Sequence, residues 1–356
     1  MQWNSAPDAA VVTMALSEFE LISRYFNQFG LAADPLTHEG VDLGIGDDGA
    51  LLSLRHDQQM TVSMDVLVEG VHFPAGADAV MLGERALAVN LSDLAAMGAT
   101  PLGFTLGLTL PEADADWLAG FSIGLRDSAL RHRCPLLGGD TTRGPRQIAI
   151  GIHGTLPKGT ALLRSGARVG DDVFVSGVLG RAGLALSLFD KRFDKRLDKK
   201  LDKKPDTTLV SATAGQTAEL ITSFYLPQPR LSLGIALRGR ASAAQDVSDG
   251  VLADLEHIAR ASRVGIALQA GLIPVAPVVA ELCEPARALQ LALTAGDDYE
   301  LVFTAPPAQR AGVQAAALSA GVSVTRIGRV VAGEGVVVLD NAGLAVLFPQ
   351  QGYQHF

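Results

Sequence analysis

Acidic residues recur along this chain in short segments flanked by glycine or serine, a pattern that stores negative charge at turns. Each segment follows an apolar or alternating run typical of a strand, or lies within a helix of small residues. Small flanking residues leave the backbone open to a ligand. Seven aspartates share this setting, in the segments Gly46-Asp47-Asp48-Gly49, Ser63-Met64-Asp65, Ser92-Asp93, Gly138-Gly139-Asp140 and Asp246-Val247-Ser248-Asp249-Gly250.

Carboxylates that converge in one cleft repel each other, and at low dielectric this repulsion is costly unless cations compensate it. Hard divalent ions prefer oxygen ligands, and Mg²⁺ bound to the phosphates of a nucleotide is the commonest case. The aspartates therefore predict magnesium and a nucleotide. The alternative is that they are ordinary turn and cap residues, which holds for most single Asp-Gly or Ser-Asp pairs but accounts poorly for five segments together.

Composition argues against several classes of function. The formal net charge of −9 opposes non-specific binding to nucleic acid. The two cysteines, Cys134 and Cys283, have no metal-site spacing, so a reducing cytoplasm is the default compartment. No apolar run reaches transmembrane length, and the acidic N-terminus does not resemble a signal peptide. We expect a cytoplasmic protein with no nucleic-acid or membrane partner.

Strand-like and helical runs alternate over the whole sequence, so the fold class is α/β or α+β. A length of 356 residues suits two domains. We expect a disordered extension over residues 1–16, an N-terminal domain over 17–160 and a C-terminal domain over 161–356. Within the first domain the periodicities predict a helix over 17–30, a strand over 60–64 that ends at Asp65, and helices over 81–97 and 114–132.

Residues 189–206, FDKRFDKRLDKKLDKKPD, repeat with a period of four and differ in texture from the rest of the chain. In a helix this period would stack Asp over Asp and Lys over Lys, which is mildly destabilising. We interpret the segment as a solvated, charged insertion in the C-terminal domain. The alternative is a contact with an anionic partner.

Two common motifs match by pattern but lack the right context. Gly44–Gly49 fits the glycine pattern of dinucleotide-binding folds, yet two aspartates stand where pyrophosphate would bind, and a strand follows instead of a helix. Gly120–Gly124 fits the nucleophile elbow of hydrolases but lies inside a helical pattern. No P-loop and no paired-histidine zinc motif occurs.

The acidic segments, taken with their neighbours, resemble thiamine-monophosphate kinases, which belong to the aminoimidazole-ribonucleotide-synthetase-like group of ATP-using enzymes. The resemblance extends from about Ser17 to Phe356, apart from the charged insertion. The combination of VEGVHF, DYEL and GYxHF is the most specific part. The motifs are GIGDDGALL, SMDVLVEGVHF, NLSDLAAMGATP, LLGGDTTRGP, LLRSGARVGD, DVSDGVLADL, TAGDDYEL and GYQHF.

This resemblance implies a two-domain α/β fold that dimerises through its N-terminal domain, with the nucleotide between aspartate-lined loops of both domains. It also implies a reaction in which ATP and thiamine phosphate give ADP and thiamine diphosphate. The transfer would be direct and in line, with several Mg²⁺ ions and without a covalent nucleophile. The acceptor is a phosphate oxygen that is already ionised near neutral pH, so no general base is expected.

The family's functional positions carry over to particular residues of this sequence. Metal-binding positions fall on Asp48, Ser63, Met64, Asp65, Asp93, Asp140, Asp246 and Asp249, with Asp47 as a further candidate. ATP contacts fall on Gly139, Asp140, Arg164 and Ser248. Contacts with thiamine phosphate fall on His72, Asp297 and Tyr353.

The permanently cationic thiazolium of the substrate suits a π-face at Tyr353 and a counter-charge at Asp297. An ordinary hydrogen-bonded histidine at position 72 and a packing aromatic at position 353 are the alternatives. Three residues depart from the family's usual pattern: Met64 in place of Thr, Ala295 in place of Gly, and Asp297 in place of Glu. The shorter carboxylate reduces the reach toward the substrate.

Other functions stay open on sequence alone. One is another enzyme of the same ATP-using group: a cyclo-ligase of purine synthesis, a selenophosphate synthetase or a hydrogenase-maturation dehydratase. The last two are disfavoured because no cysteine lies near residue 20 or at the C-terminus. A non-catalytic magnesium-nucleotide sensor is a further alternative, although the main acidic positions are all present.

Overall fold

The computed structural model describes residues 18–28, 30–189, 212–348 and 352. The predicted extension over 1–16, residues 190–206 of the charged insertion and Tyr353 lie outside these ranges. Within them, no helix combines the length and apolar character that a membrane crossing requires.

The N-terminal half alternates strands and helices around one four-stranded sheet. Its first helix is short and ends in a π-helical turn at Phe26, so the helix predicted to reach Gly30 is shorter than expected. The elements are α1 Glu18–Leu21 with the π-turn Ile22–Phe26, β1 Val41–Leu43, β2 Leu51–Leu52, β3 Gln58–Val68, α2 Ala79–Ala96, β4 Thr100–Leu110, α3 Ala115–His132, β5 Leu136–Arg143 and β6 Gln147–Pro157.

The four-stranded sheet has the order β3-β6-β4-β5, with β4 and β5 parallel and the other neighbours antiparallel. Side chains on one face, such as Phe104 and Ile150, are buried with residues of α2 and α3. The strand predicted to end at Asp65 continues to Val68, because its pairing with β6 runs without a break from Gln58. Asp65 therefore lies inside a strand.

Helices α2 and α3 cross at close range through glycines. A side chain on Gly124 would overlap the carbonyl of Val80, and one on Gly83 would overlap the carbonyl of Phe121. The GxSxG-like pattern over 120–124 thus lies inside α3 and not at a turn between a strand and a helix, and its glycines serve helix packing.

The C-terminal half is built on a seven-stranded sheet in the order β13-β12-β9-β11-β7-β10-β8. Its strands are antiparallel except for the parallel pair β9 and β12. The elements are β7 Asp172–Ser176, α4 Arg181–Leu186, α5 Ala214–Tyr225, α6 Leu231–Leu237, β8 Ala243–Asp246, α7 Val251–Ser262, β9 Gly265–Gln269, α8 Pro277–Leu282, α9 Pro285–Thr294, β10 Leu301–Ala305, α10 Arg310–Ala320, β11 Val324–Val331, β12 Gly335–Leu339 and β13 Ala345–Val346.

Helix α2 belongs to both halves. It packs on α3 and β6 of its own half, and it also contacts α5, α6 and β8 of the C-terminal half. Ala95 and Ala96 are buried together with Leu233 and Leu237 of α6, and a side chain on Gly234 would overlap the carbonyl of Ala95. Small residues on α2 therefore let the two sheets share one buried helix. The domain boundary expected between residues 160 and 161 stays a prediction.

Candidate active site

A cavity of about 510 Å³ lies where β3 and α2 of the N-terminal half meet the end of β8 and the segment before β10. Carboxylates from both halves line it. Its acidic residues are Asp65, Asp93, Asp246, Asp249 and Asp297, and the other predicted site residues on its wall are Met64, His72 and Ser248.

Hydrogen bonds between strand β3 and helix α2 position two of these carboxylates, Asp65 and Asp93. The hydroxyl of Ser63 donates a hydrogen bond of 2.6 Å to Oδ2 of Asp93. The backbone N–H of Asp65 donates to Oδ1 of Asn90, at 3.1 Å. Because side chains alternate along a strand, Ser63 and Asp65 share one face of β3 and Met64 faces the other. Ser63 thus contacts the acidic cluster through its hydrogen bond to Asp93.

The C-terminal half contributes its carboxylates from the turn after β8. Oδ2 of the buried Asp254 accepts the backbone N–H groups of Ser248, Asp249 and Gly250 at 3.1–3.2 Å. This carboxylate on the first turn of α7 therefore fixes the backbone conformation of the turn. As a result Ser248 and Asp249 are presented to the cavity by a rigid loop.

Burial and mutual repulsion raise the pKa values of the clustered carboxyls. Desolvation raises the pKa of Asp65 to about 6, and the charges of Asp93 and Asp249 add to the shift. Desolvation raises the pKa of Asp246 to about 7, with a further contribution from Asp93. The pKa of Asp93 is also raised by burial, against the hydrogen bond from Ser63 and the charge of Arg164. The cluster is a site where added positive charge is favourable.

The donor set suits a hard cation that shares its ligands with a phosphate. Among the residues that the structure describes, no three His, Cys, Asp or Glu side chains form a ready-made ion site. Mg²⁺ commonly takes one or two carboxylates and completes its shell with water and substrate phosphates. Asp65, Asp93, Asp246 and Asp249 fit that pattern, since all four line the same cavity and supply only oxygen.

Some predicted site residues lie away from the cavity wall. Asp47 and Asp48 stand in an exposed turn between β1 and β2, and Gly139 and Asp140 are exposed on β5. Arg164 does not line the cavity either, but its charge lowers the pKa of Asp93. Tyr353 lies outside the described residues, and the preceding Gly352 lies close to the backbone of Asp249.

Two of the predicted substrate contacts are held by specific hydrogen bonds. The backbone N–H of Val68 donates to Nδ1 of His72 at 3.0 Å, which makes Nδ1 the acceptor nitrogen of the ring. Oδ1 of Asp297 accepts a 2.6 Å bond from Nη2 of Arg85. The carboxylate expected as a counter-charge is therefore already paired inside the protein.

Sequence reasoning missed several residues that shape this site. Arg85 and Ser92 read as polar positions in a helix of small residues, and nothing local marks their distant partners. Asp254 lies within the DVSDGVLADL motif, four residues after its glycine. An acidic residue at the start of a helix could have indicated that its carboxylate caps the backbone N–H groups of the preceding turn. Arg287 on α9 also lines the cavity and donates to Gln290 at 3.3 Å.

Comparisons with known proteins identify the family. Models of the N-terminal and C-terminal domains of AIR synthase related proteins match residues 46–156 and 168–341. Thiamine-monophosphate kinase of Escherichia coli (strain K12) is 41% identical over 344 residues, which cover 96% of this chain and 99% of that protein. The chain belongs to the thiamine-monophosphate kinase family. The predicted two-domain fold class is thereby confirmed.

Solved structures agree with this family assignment. Thiamine-monophosphate kinase from Stenotrophomonas maltophilia K279a is 44% identical, with a TM-score of 0.77 over 87% of this chain and 94% of that chain. AaThiL complexed with AMPPCP and TMP is 30% identical, with a TM-score of 0.70 over 88% of this chain and 92% of that chain. That structure holds an ATP analogue and TMP together.

Two of the residues predicted to depart from the family's usual pattern, Ala295 and Asp297, line the cavity. Ala295, where the family usually has Gly, places its methyl group directly against Gly183 of α4, so a side chain on Gly183 would overlap it. Asp297, where the resemblance predicts a departure from Glu, accepts a hydrogen bond from Arg85. Ala295 and Asp297 therefore each have a specific close neighbour in this chain, Gly183 and Arg85.

Proposed function

We propose that this chain is a thiamine-phosphate kinase that converts ATP and thiamine phosphate into ADP and thiamine diphosphate, the last step of thiamine diphosphate biosynthesis. The observation that carries the proposal is the convergence of Asp65 and Asp93 with Asp246 and Asp249 in one cavity between the halves. Family membership and the relative complexed with AMPPCP and TMP support it.

These four carboxylates would hold Mg²⁺, which would neutralise the β- and γ-phosphates of ATP during transfer. The contribution of the chain is then positioning and exclusion of water. Ser63 orients Asp93, Ser92 orients Asp246, and Asp254 fixes the turn that carries Asp249. None of these groups needs to accept a proton, because the attacking phosphate oxygen is already ionised.

For the nucleotide we propose Gly139, Asp140, Arg164 and Ser248 as contacts, with Asp47, Asp48 and Asp140 as further magnesium ligands. Arg164 offers a fork-shaped donor to phosphate oxygens, and its charge already acts on Asp93. For thiamine phosphate we propose His72, Asp297 and Tyr353. His72 and Asp297 line the cavity, and Gly352 brings the chain to Asp249 immediately before Tyr353.

We also propose that the active form is a homodimer assembled through the four-stranded sheet. Strand β3 stands at the edge of this sheet and turns a row of apolar side chains outward, away from α2 and α3. Exposed apolar patches of this kind mark interaction surfaces. The row consists of Met60, Val62, Met64 and Val66, which are 39–62% exposed in the single chain.

A coupled assay of ADP release over a panel of acceptors tests the proposed activity. We expect turnover that requires Mg²⁺ and thiamine phosphate and that is absent with selenide or formylglycinamidine ribonucleotide. Release with either of those acceptors instead would assign the chain to another reaction of the group, and binding of ATP without any turnover would indicate a sensor. Isolation of a ³²P-labelled protein intermediate would contradict direct transfer.

A further inference from the structure

Arg85 is a charged side chain buried almost completely in the middle of α2, with 1% of its surface exposed. Its Nη2 donates to Oδ1 of Asp297, and its Nη1 donates to the backbone carbonyl of Phe224. The guanidinium also lies 3.9 Å from the centroid of the Phe224 ring. A buried cation needs such partners, because desolvation without them is prohibitive.

Asp297 has further partners besides Arg85. Its backbone N–H donates to the carbonyl of Ser248 at 2.9 Å, and the hydroxyl of Tyr299 lies 3.3 Å from Oδ1. Asp297 and Tyr299 both adopt left-handed backbone conformations, with φ of 60° and 49°. Residues other than glycine keep such conformations only where their surroundings fix them.

The pairing changes what Asp297 can recognise. A carboxylate bonded to a buried guanidinium forms a nearly neutral unit, so its attraction for a cation is small. It remains a good hydrogen-bond acceptor, and charge-assisted bonds of this kind are strong and directional. A neutral N–H donor therefore suits Asp297 better than a cationic ring.

The position of Asp297 along the cavity selects the part of the substrate that reaches it. Arg85 and Asp93 are eight residues apart on α2, which separates them by about 12 Å along the helix axis. The reacting phosphate belongs at the end with Asp93. Thiamine phosphate carries its phosphate on one side of the thiazolium and its aminopyrimidine on the other, so the aminopyrimidine reaches the end with Arg85 and Asp297.

We infer that Asp297, neutralised by Arg85, accepts a hydrogen bond from the amino group of the substrate's pyrimidine and does not serve as a counter-charge for the thiazolium. This inference rests on the proposed function and specifies its substrate subsite. Arg85 is the positioning residue of that subsite, since it orients the carboxylate without touching the substrate.

Two analogues of thiamine phosphate separate hydrogen bonding from charge. One carries an oxo group in place of the pyrimidine amino group and keeps the cationic ring. The other keeps the aminopyrimidine and replaces the thiazolium by an uncharged thiophene. Their dissociation constants, relative to that of thiamine phosphate, are measured by titration calorimetry with Mg²⁺ and AMPPCP present.

We expect the wild-type chain to bind the oxo analogue about 10- to 100-fold more weakly than thiamine phosphate, as the loss of a charge-assisted bond predicts. Asp297→Ala should bring this ratio close to one and leave the ratio for the uncharged-ring analogue unchanged.

Arg85→Met should increase the preference for the cationic ring, because Asp297 then lacks its compensating charge. The double variant, Arg85→Met with Asp297→Ala, removes both charges. It guards against misfolding, because deleting only one partner of a buried ion pair is the costlier change. This variant should discriminate against the oxo analogue as little as Asp297→Ala does.

Arg310→Met is the matched control. Arg310 donates to the buried Asp172 at 2.6 Å and 2.9 Å, and neither residue lines the cavity. Breaking this pair should leave both ratios at wild-type values. The inference is overturned if Asp297→Ala abolishes discrimination by ring charge and retains discrimination against the oxo group, or if Arg310→Met changes the ratios equally.

Turnover of thiamine phosphate by the wild-type chain is recorded in parallel, so that the two proposals can fail separately. Binding with the expected ratios but no turnover would count against the kinase activity and support the subsite. Turnover with ratios unaffected by Asp297→Ala would support the kinase activity and refute the subsite. Absence of any binding of thiamine phosphate would refute both.

Discussion

The hydroxyl of Ser92 donates a hydrogen bond of 2.7 Å to Oδ2 of Asp246, and this bond joins the two halves of the chain at the acidic cavity. Ser92 belongs to α2 and Asp246 ends β8, and both are buried. The neighbouring Asp93 meets β3 through Ser63. Ser92 and Asp93, two consecutive residues of α2, therefore connect the acidic cavity to both sheets.

Ser92→Ala should lower the free energy of unfolding by about 1–3 kcal/mol, because a buried acceptor loses its donor. Urea denaturation of both proteins measures the difference. Ser122→Ala is the control, since that hydroxyl is buried too but only bonds Ala119 within its own helix. Equal losses in the two variants would show that the Ser92–Asp246 bond contributes no more to the free energy of unfolding than a bond within one helix does.

Gly183→Ala should lower the free energy of unfolding by about 1–3 kcal/mol through overpacking against the methyl group of Ala295. Ala295→Gly introduced into the same chain should recover most of the loss, which thermal denaturation of the single and double variants would reveal. Gly215→Ala is the control, because it lies in a helix where the added methyl meets nothing closer than 3.9 Å. The clash account is wrong if the second substitution gives no recovery.

Acid sensitivity should depend in part on His132. Burial, with the charge of Arg131, lowers the pKa of this residue from 6.5 to about 4, while Glu84 opposes the shift. The unfolded chain therefore takes up a proton that the folded chain refuses, and the stability held above pH 6.5 is lost as the pH falls toward 4. Because His132 is partly exposed, we expect His132→Gln to lose about 1 kcal/mol less than wild type between pH 7 and pH 5.

Urea denaturation at the two pH values measures this difference. The exposed His56 supplies the control, and His56→Gln should keep the pH dependence of the wild-type chain. An unchanged slope in His132→Gln would mean that this histidine is protonated in the folded chain as easily as in the unfolded one.

The dimer proposal predicts that the wild-type chain sediments as a dimer at micromolar concentration and that Val62→Lys sediments as a monomer. Val62 lies in the centre of the exposed apolar row on β3, where a buried lysine would be costly. Leu318→Lys changes another exposed apolar residue, on α10, and should stay dimeric. A monomeric wild-type chain, or a dimeric Val62→Lys variant, would contradict assembly through this face.

Much of the fold could be predicted from sequence because its signals are local. The periodicities placed α2 and α3 within a few residues of their observed positions, and the DVSDG segment falls at a strand end beside the cavity. The prediction failed at Asp65, where an acid after an apolar run was taken as a strand end. Pairing with β6 continues the strand to Val68, and such pairing depends on residues far away in the chain.

The pairing of Arg85 with Asp297 could not have been predicted in this way. The two residues are 212 positions apart, and Arg85 looks like an ordinary polar position on a helix. Family resemblance indicated that Asp297 faces the substrate, but only the tertiary structure shows that its charge is already compensated. The same holds for Ser92, whose partner Asp246 lies on the other sheet.

The formation of thiamine diphosphate by Asp93→Asn, measured against wild type at saturating ATP, thiamine phosphate and Mg²⁺, tests the central claim most directly. Asp127→Asn, which alters a partly exposed aspartate on α3, should keep the wild-type kcat. We predict that Asp93→Asn lowers kcat at least about 100-fold, the loss expected when a major electrostatic contact of the transition state is removed. A kcat near the wild-type value would contradict the claim that phosphoryl transfer takes place among these carboxylates.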